Sequence, residues 1–253
     1  MRLKIGVLLL SMTVLISCVG TSAMDDLKNK KRANAHFNIG LDALRNNNLT
    51  KAFDELMQAN QLLPNQPLVL DSLGNAWRVQ GDIKKAEAYF KHALKYGDIP
   101  SIHTNYASLL VQLERYQEAK NEINLTLDDP RYPRQDLAYM LLGDALVGLG
   151  ELDEGVQAYR RAAQINPRQQ IVSQLREALV YVNSGRYSYA VALYETILRK
   201  YPANRAALEG LLPLLKQQGE DTAAKHYLLV FEDKVSDVKS QQWASDQLLR
   251  LPR

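Results

Sequence analysis

A single cysteine stands in 253 residues, so no internal disulfide, CxxC redox pair or zinc site of several thiolates is available. Histidine is scarce too. His36, His92, His103 and His226 each stand alone, without a second ligand three or four positions away, which leaves them packing or surface roles and argues against metal binding. Neither sign of charge dominates: 31 Lys and Arg against 28 Asp and Glu leave +3, too near neutral for a nucleic-acid partner. No apolar run reaches the ~20 residues that span a bilayer. Nucleophile-elbow, H-E-x-x-H and phosphate-loop patterns are missing, so the expectation is a protein without enzymatic activity, cofactor or small-molecule substrate. What is present is 46% hydrophobic residues, enough for a core, and thirteen Tyr against four Phe.

The N-terminus is Met1-Arg2-Leu3-Lys4 followed by an apolar run from Ile5 to Ile16. Two positive charges ahead of ~12 apolar residues match a secretory signal peptide. The run stops at Leu15-Ile16-Ser17-Cys18, which resembles the bacterial lipobox, with Cys18 as the lipid-attachment site. The alternative is an ordinary signal peptide with a chance cysteine at its end. Several acyl chains at ~0.8 kcal/mol per buried methylene would anchor the mature chain stably. Val19 stands where inner-membrane lipoproteins of the enteric type often carry Asp, a resemblance that favours the periplasmic face of the outer membrane. The expected division is residues 1–17 as signal and 18–32 as a lipidated, solvated tether rich in Asp and Lys.

Beyond the tether, small residues precede large ones by four positions: Ala52 and Leu56, Ala86 and Phe90, Ala119 and Ile123, Gly155 and Tyr159, Ala190 and Tyr194, Ala224 and Leu228. The intervals are 34, 33, 36, 35 and 34 residues. Twelve residues before each lies Gly40, Gly74, Ala107, Gly143, Ala178 or, as the exception, Leu212. Turn signals fall between the two positions at Asn46-Asn47-Asn48, Gly81-Asp82, Leu149-Gly150, Ser184-Gly185 and Gly219-Glu220. The pattern resembles the tetratricopeptide repeat in six copies over residues 33–235. It implies an all-α right-handed superhelix of six helix pairs, with small residues where the two helices of a pair approach and the large residue filling space toward the next repeat. Residues 236–253 form the expected C-terminal capping helix.

Three departures mark irregularity. Gly155 replaces the usual Ala, at ~0.5–1 kcal/mol in a helix interior. Pro213 falls inside the first helix of the sixth repeat and is expected to kink it. Asp128-Asp129-Pro130-Arg131-Tyr132-Pro133 occupies the longest interval and is expected to divide the array into three repeats before and three after.

In such repeats the first helix of each pair lines a concave face. Steps of three or four residues place Phe37, Leu41 and Leu44 there in repeat one, and Leu137, Met140 and Val147, interrupted by Asp144, in repeat four. Repeat five contributes Val172, Leu175, Leu179 and Val182, whereas repeat two is polar at Asp71, Asn75 and Arg78. This apolar lining is a candidate partner groove. The alternative is a surface covered by the C-terminal helix or by the tether folding back.

Asp129-Pro130-Arg131-Tyr132-Pro133, followed by Ala138-Tyr139-Met140-Leu141-Leu142-Gly143, resembles the type IV pilus biogenesis and stability lipoprotein family (PilF/PilW), in which a similar D-P-x-Y-P loop separates the third and fourth repeats. The order of lipobox, polar tether and six repeats is similar as well. The resemblance implies a pilotin: an outer-membrane lipoprotein that binds type IV pilus secretin subunits and promotes their localisation and multimerisation, for which groove binding of a helix or extended peptide is a fitting mode. The alternative function is a lipoprotein adaptor for outer-membrane protein assembly or peptidoglycan enzymes.

Overall fold

The computed structural model describes the backbone of residues 3–252 and the side chains of residues 24–252. Cys18 lies outside the described side chains. Among the described residues there are thirteen α-helices and no strand.

The first helix, α1 (Leu3–Arg45), is followed by α2 (Leu49–Leu62), α3 (Pro67–Gln80), α4 (Ile83–Tyr96), α5 (Pro100–Gln112) and α6 (Tyr116–Leu127). Then come α7 (Gln135–Gly148), α8 (Leu152–Ile165), α9 (Gln170–Asn183), α10 (Tyr187–Lys200), α11 (Arg205–Gln218), α12 (Asp221–Lys234) and α13 (Val238–Leu249). The tether is helical over its described part, residues 24–32, and runs without a break into the first repeat helix.

Local chemistry sets the helix ends. Asn48, Asp82, Asn204 and Asp237 cap helix starts by accepting from the backbone N–H three residues on, at 2.8–3.2 Å. Gly81, Gly150, Gly185 and Gly219 take the left-handed conformation that closes the preceding helix. The turn after α5 uses Glu114 at φ 58° for the same purpose, where the sequence offers no glycine.

The chain forms two compact units, Met1–Leu109 and Leu110–Arg253. In the first, Leu56, Ala59, Val69 and Leu73 form one buried cluster, while Leu70, Ala93 and Ile102 form another. In the second, one continuous core runs from Met140 to Ala244. The Asp128–Pro133 loop lies between the helix pairs α1–α6 and α7–α12, yet the boundary of the compact units falls inside α5 and not there. The reason is that α6 is fastened across that loop. The Tyr116 ring lies against Gly148, and Lys120 Nζ bonds Glu151 Oε2 at 2.7 Å.

The large residue of each repeat was expected to fill space toward the next repeat, and three also meet a glycine of their own pair. A Cβ built on Gly74 would stand 2.9 Å from the Phe90 ring, and one on Gly40 would stand 2.8 Å from Leu56. Gly143 meets Tyr159 in the same way. In each case a glycine in the first helix makes room for the bulky residue sixteen positions later, within the same pair. Forward contacts are present too: Tyr194 lies against Gly210 of the next repeat, and the Phe90 ring centre is 6.1 Å from that of Tyr106 on α5.

Two irregular positions stand out. Pro213 is exposed inside α11, which continues through it to Gln218. Gly155 is required by packing: an added Cβ would meet Val147 Cγ2 at 2.7 Å and the Gly143 carbonyl oxygen at 3.2 Å. α13 packs its Trp243 edge-on to Phe231 of α12, with ring centres 5.5 Å apart.

Candidate interaction surface

The groove residues read from helical spacing do not share one environment. In the first unit, Phe37 and Leu44 pack against the Leu56–Leu73 cluster, and Leu41 is half-buried. Those side chains hold α1 on α2 and α3 more than they face a partner. In the second unit Met140 is only 5% exposed, and its sulfur accepts a hydrogen bond from Ser173 Oγ at 3.2 Å. Met140 is thus a core residue, because α9 covers the face of α7 on which it lies. Val147 and Leu175 pack against the same core, and Leu137 is half-buried. Of the eight, Leu179 remains open, at 53% exposure.

Spacing of seven puts Val172, 42% exposed, on the same face of α9 as Leu179, two turns away. On α3 of the first unit, Leu68 and Val79 are eleven apart, hence again on one face, and both are exposed. These four side chains are the open apolar surface of the first helices of repeats two and five. Sequence patterning had assigned repeat two a polar lining and overlooked Leu68 and Val79.

Polar residues on these helices are largely used in linking neighbours. Asp71 of α3 is 7% exposed, and Asn105 of α5 donates its Nδ2 to both carboxylate oxygens at 2.9 and 3.0 Å. Burial pushes the Asp71 carboxyl up to about 7, and the Asn105 bond only partly opposes that rise. Asp144 of α7 accepts from the Tyr159 hydroxyl at 2.8 Å and pairs with Arg176 of α9. The same burial, with the Asp144 charge beside it, holds the Tyr159 hydroxyl well above its ordinary range. Asp136 accepts from Asn166 Nδ2 at 2.7 Å, from Arg134 Nε at 3.3 Å and from Gln169 Nε2 at 3.4 Å. It thereby joins the start of α7 to the single 3₁₀ turn Pro167–Gln169. Asp144, which appeared in the sequence as a break in an apolar stripe, is therefore an inter-repeat tie.

Two clefts were not foreseen. One, of about 290 Å³, lies in the first unit between Ala33, Phe37, Leu63, Pro67, Leu68 and Ile99. The other, of about 300 Å³, lies at the C-terminal end among Leu212, Pro213, Lys216, Trp243, Gln247 and Leu251. Pro213 as a helix breaker was the only sequence signal near the second, and it pointed to a defect, not to a cleft.

His36 bonds Glu55 at 2.7 Å, His103 bonds Asp98 at 2.6 Å, and His92 and His226 lie edge-on to Tyr96 and Tyr227. Among the described residues no group of three or more His, Cys, Asp or Glu is placed to hold a metal ion. No helix of the described residues is long and apolar enough to cross a membrane.

The tetratricopeptide-repeat family model matches residues 107–169 and 175–229. An uncharacterized protein of Haemophilus influenzae is 29% identical over 123 residues, covering 47% of this chain and 66% of the relative. BBSome complex member BBS4 of Bos taurus is 24% identical over 128 residues, half of this chain and 24% of its own length. The chain thus spans less than two thirds of either curated relative. Among solved structures, PilF of Pseudomonas aeruginosa superposes with a TM-score of 0.69 at 19% identity, covering 87% of this chain and 99% of that one. PilW, a widely conserved type IV pilus biogenesis factor, gives 0.72 at 19% identity over 83% of this chain and 96% of its own. At such identity the likeness is one of fold. The chain is therefore all-helical among the described residues, matches the tetratricopeptide-repeat model over residues 107–169 and 175–229, and shares the fold of PilF and PilW.

Proposed function

We propose that this chain is a non-enzymatic lipoprotein of type IV pilus biogenesis, a pilotin held on the periplasmic face of the outer membrane by lipid at Cys18. Its repeats bind secretin subunits and promote their delivery and multimerisation there. The observation that carries this reading is the fold shared with PilF and PilW across 87% and 83% of the chain. The Leu15–Cys18 lipobox supports the address, and a protein address with a protein-binding body is the division of labour a pilotin needs. The exposed Val172 and Leu179 face of α9 is the part of the originally expected groove still open to a partner, and an amphipathic helix or extended segment fits it.

The test is capture of the lipidated protein from membranes in a secretin-producing cell. A co-purifying secretin supports the proposal; a β-barrel assembly factor or a peptidoglycan enzyme in its place moves the protein to the adaptor class. Cys18→Ser is expected to leave the repeats folded and to abolish secretin multimers in the outer membrane. Normal multimers in that variant would remove the lipid from the mechanism.

A further inference from the structure

We infer that the exposed face of α1 between Met24 and Ala35 is a second membrane contact, one that lies on anionic phospholipid headgroups. This rests on the lipid anchor of the proposed function to bring the helix to the bilayer.

Residues 24–35 are helical, so positions 24, 27, 28, 31 and 35 share one face at 3.6 residues per turn, with position 32 at its edge. That face carries Met24, Leu27, Lys28, Lys31, Ala35 and Arg32. Met24 is 72% exposed and Leu27 53%, and all three cations are exposed. The opposite face holds Ala33, which is buried at 3%, so it is the side turned to the body of the protein. Asp26 lies more than half a turn round from Met24, while Asp25 stands at the edge of the face beside Arg32, so the face keeps a net charge of +2.

Two open apolar side chains flanked by three cations against one acid are what an interfacial helix presents to a bilayer. The apolar groups enter the headgroup boundary, and the lysine stems reach outward to phosphate. Neither feature serves the fold, because none of these side chains belongs to a buried cluster. The position agrees with the anchor: Cys18 precedes Met24 by six residues, about 9 Å of helix, and so lies within a Debye length of the surface. Charge complementarity selects an anionic bilayer as the occupant. A helix laid on that surface also fixes which way the following repeats leave the membrane, which a lipid alone does not.

The test uses the chain from residue 19, with an N-terminal hexahistidine replacing the lipid and held on vesicles bearing nickel-chelating headgroups. Removing residues 1–18 leaves residues 33–235 whole, and the chain then has no cysteine. An environment-sensitive fluorophore is placed at Met24→Cys or, for the other side of the helix, at Asp26→Cys, and quenching by brominated lipid is read. On phosphatidylcholine vesicles containing phosphatidylglycerol, the Met24→Cys label is expected to be quenched severalfold more than the Asp26→Cys label. Lys28→Glu with Lys31→Glu should lower that quenching at least fivefold, since each cation near an anionic surface changes occupancy by about fivefold. Molar salt should do the same. Equal quenching of the two labels, or equal quenching on vesicles of phosphatidylcholine alone, overturns the inference. The mass of the native membrane-purified protein separates the two readings. An unacylated Cys18 defeats the anchor while leaving the vesicle result to stand on its own, and an acylated Cys18 with no face-dependent quenching defeats this inference alone.

Discussion

Asp71 offers a perturbation whose sign and size follow from its surroundings. Its carboxyl is 7% exposed, and burial raises it from 3.8 to about 7, so the folded chain holds a proton that the unfolded chain releases well below neutrality. Between those two values the folded state binds more protons, and stability therefore falls as pH rises through that window. At 1.36 kcal/mol per unit, the stability lost through Asp71 relative to pH below 3.8 is about 2 kcal/mol at pH 5 and about 4 kcal/mol at pH 8. Asp71→Asn removes the titration and keeps an oxygen to accept from Asn105. The variant is expected to match the parent near pH 4 and to exceed it by roughly 2–4 kcal/mol at pH 8. Trp77 and Trp243 fall one in each compact unit, so a Trp243→Phe background lets Trp77, on the same helix as Asp71, report urea unfolding of the first unit. A stability difference between the two proteins that is the same at pH 5 and pH 8 would refute the burial argument.

Gly155→Ala improves helix propensity by ~0.5–1 kcal/mol, yet its methyl meets Val147 at 2.7 Å, and overpacking costs about 1–3 kcal/mol. Net destabilisation is expected in Trp243-monitored unfolding; a stabilised variant would show that α7 and α8 can part at no cost. Leu44→Asp should lower the stability of the first unit by about 2–4 kcal/mol, because Leu44 packs on the Leu56–Leu73 cluster. Leu179→Asp should leave the melting temperature within a few degrees of the parent while weakening secretin capture, and unchanged capture would remove the α9 face from the binding surface.

The repeat was legible because its period imposes the same small and large residues at fixed intervals. Gly74 and Phe90 could be paired from spacing once the antiparallel helices were granted. What spacing does not contain is the identity of the neighbour. Met140 and Leu179 lie on equivalent faces of their helices, yet Ser173 covers the first and nothing described covers the second. Asp71 and Asn105 are 34 residues apart, one repeat, and their pairing follows only from seeing α3 beside α5. Gly155 was misjudged through a rule for isolated helices, where the answer lay in the close crossing of two. Pro213 lies within α11, which runs to Gln218 with Leu211, Leu212, Leu214 and Leu215 buried around the proline.

The contacts of glycines with bulky side chains also bear on how such a chain can change over evolutionary time. Gly40 with Leu56, Gly74 with Phe90 and Gly143 with Tyr159 each lie within one helix pair, so duplication or loss of a whole pair carries both halves of the contact together. Gly210 and Tyr194 belong to successive pairs. Exchanging the sixth pair for a copy of another would set the Tyr194 ring against a side chain larger than hydrogen. The last repeat is therefore tied to its predecessor in inheritance as well as in space, as the fourth is to the third through Tyr116 and Gly148.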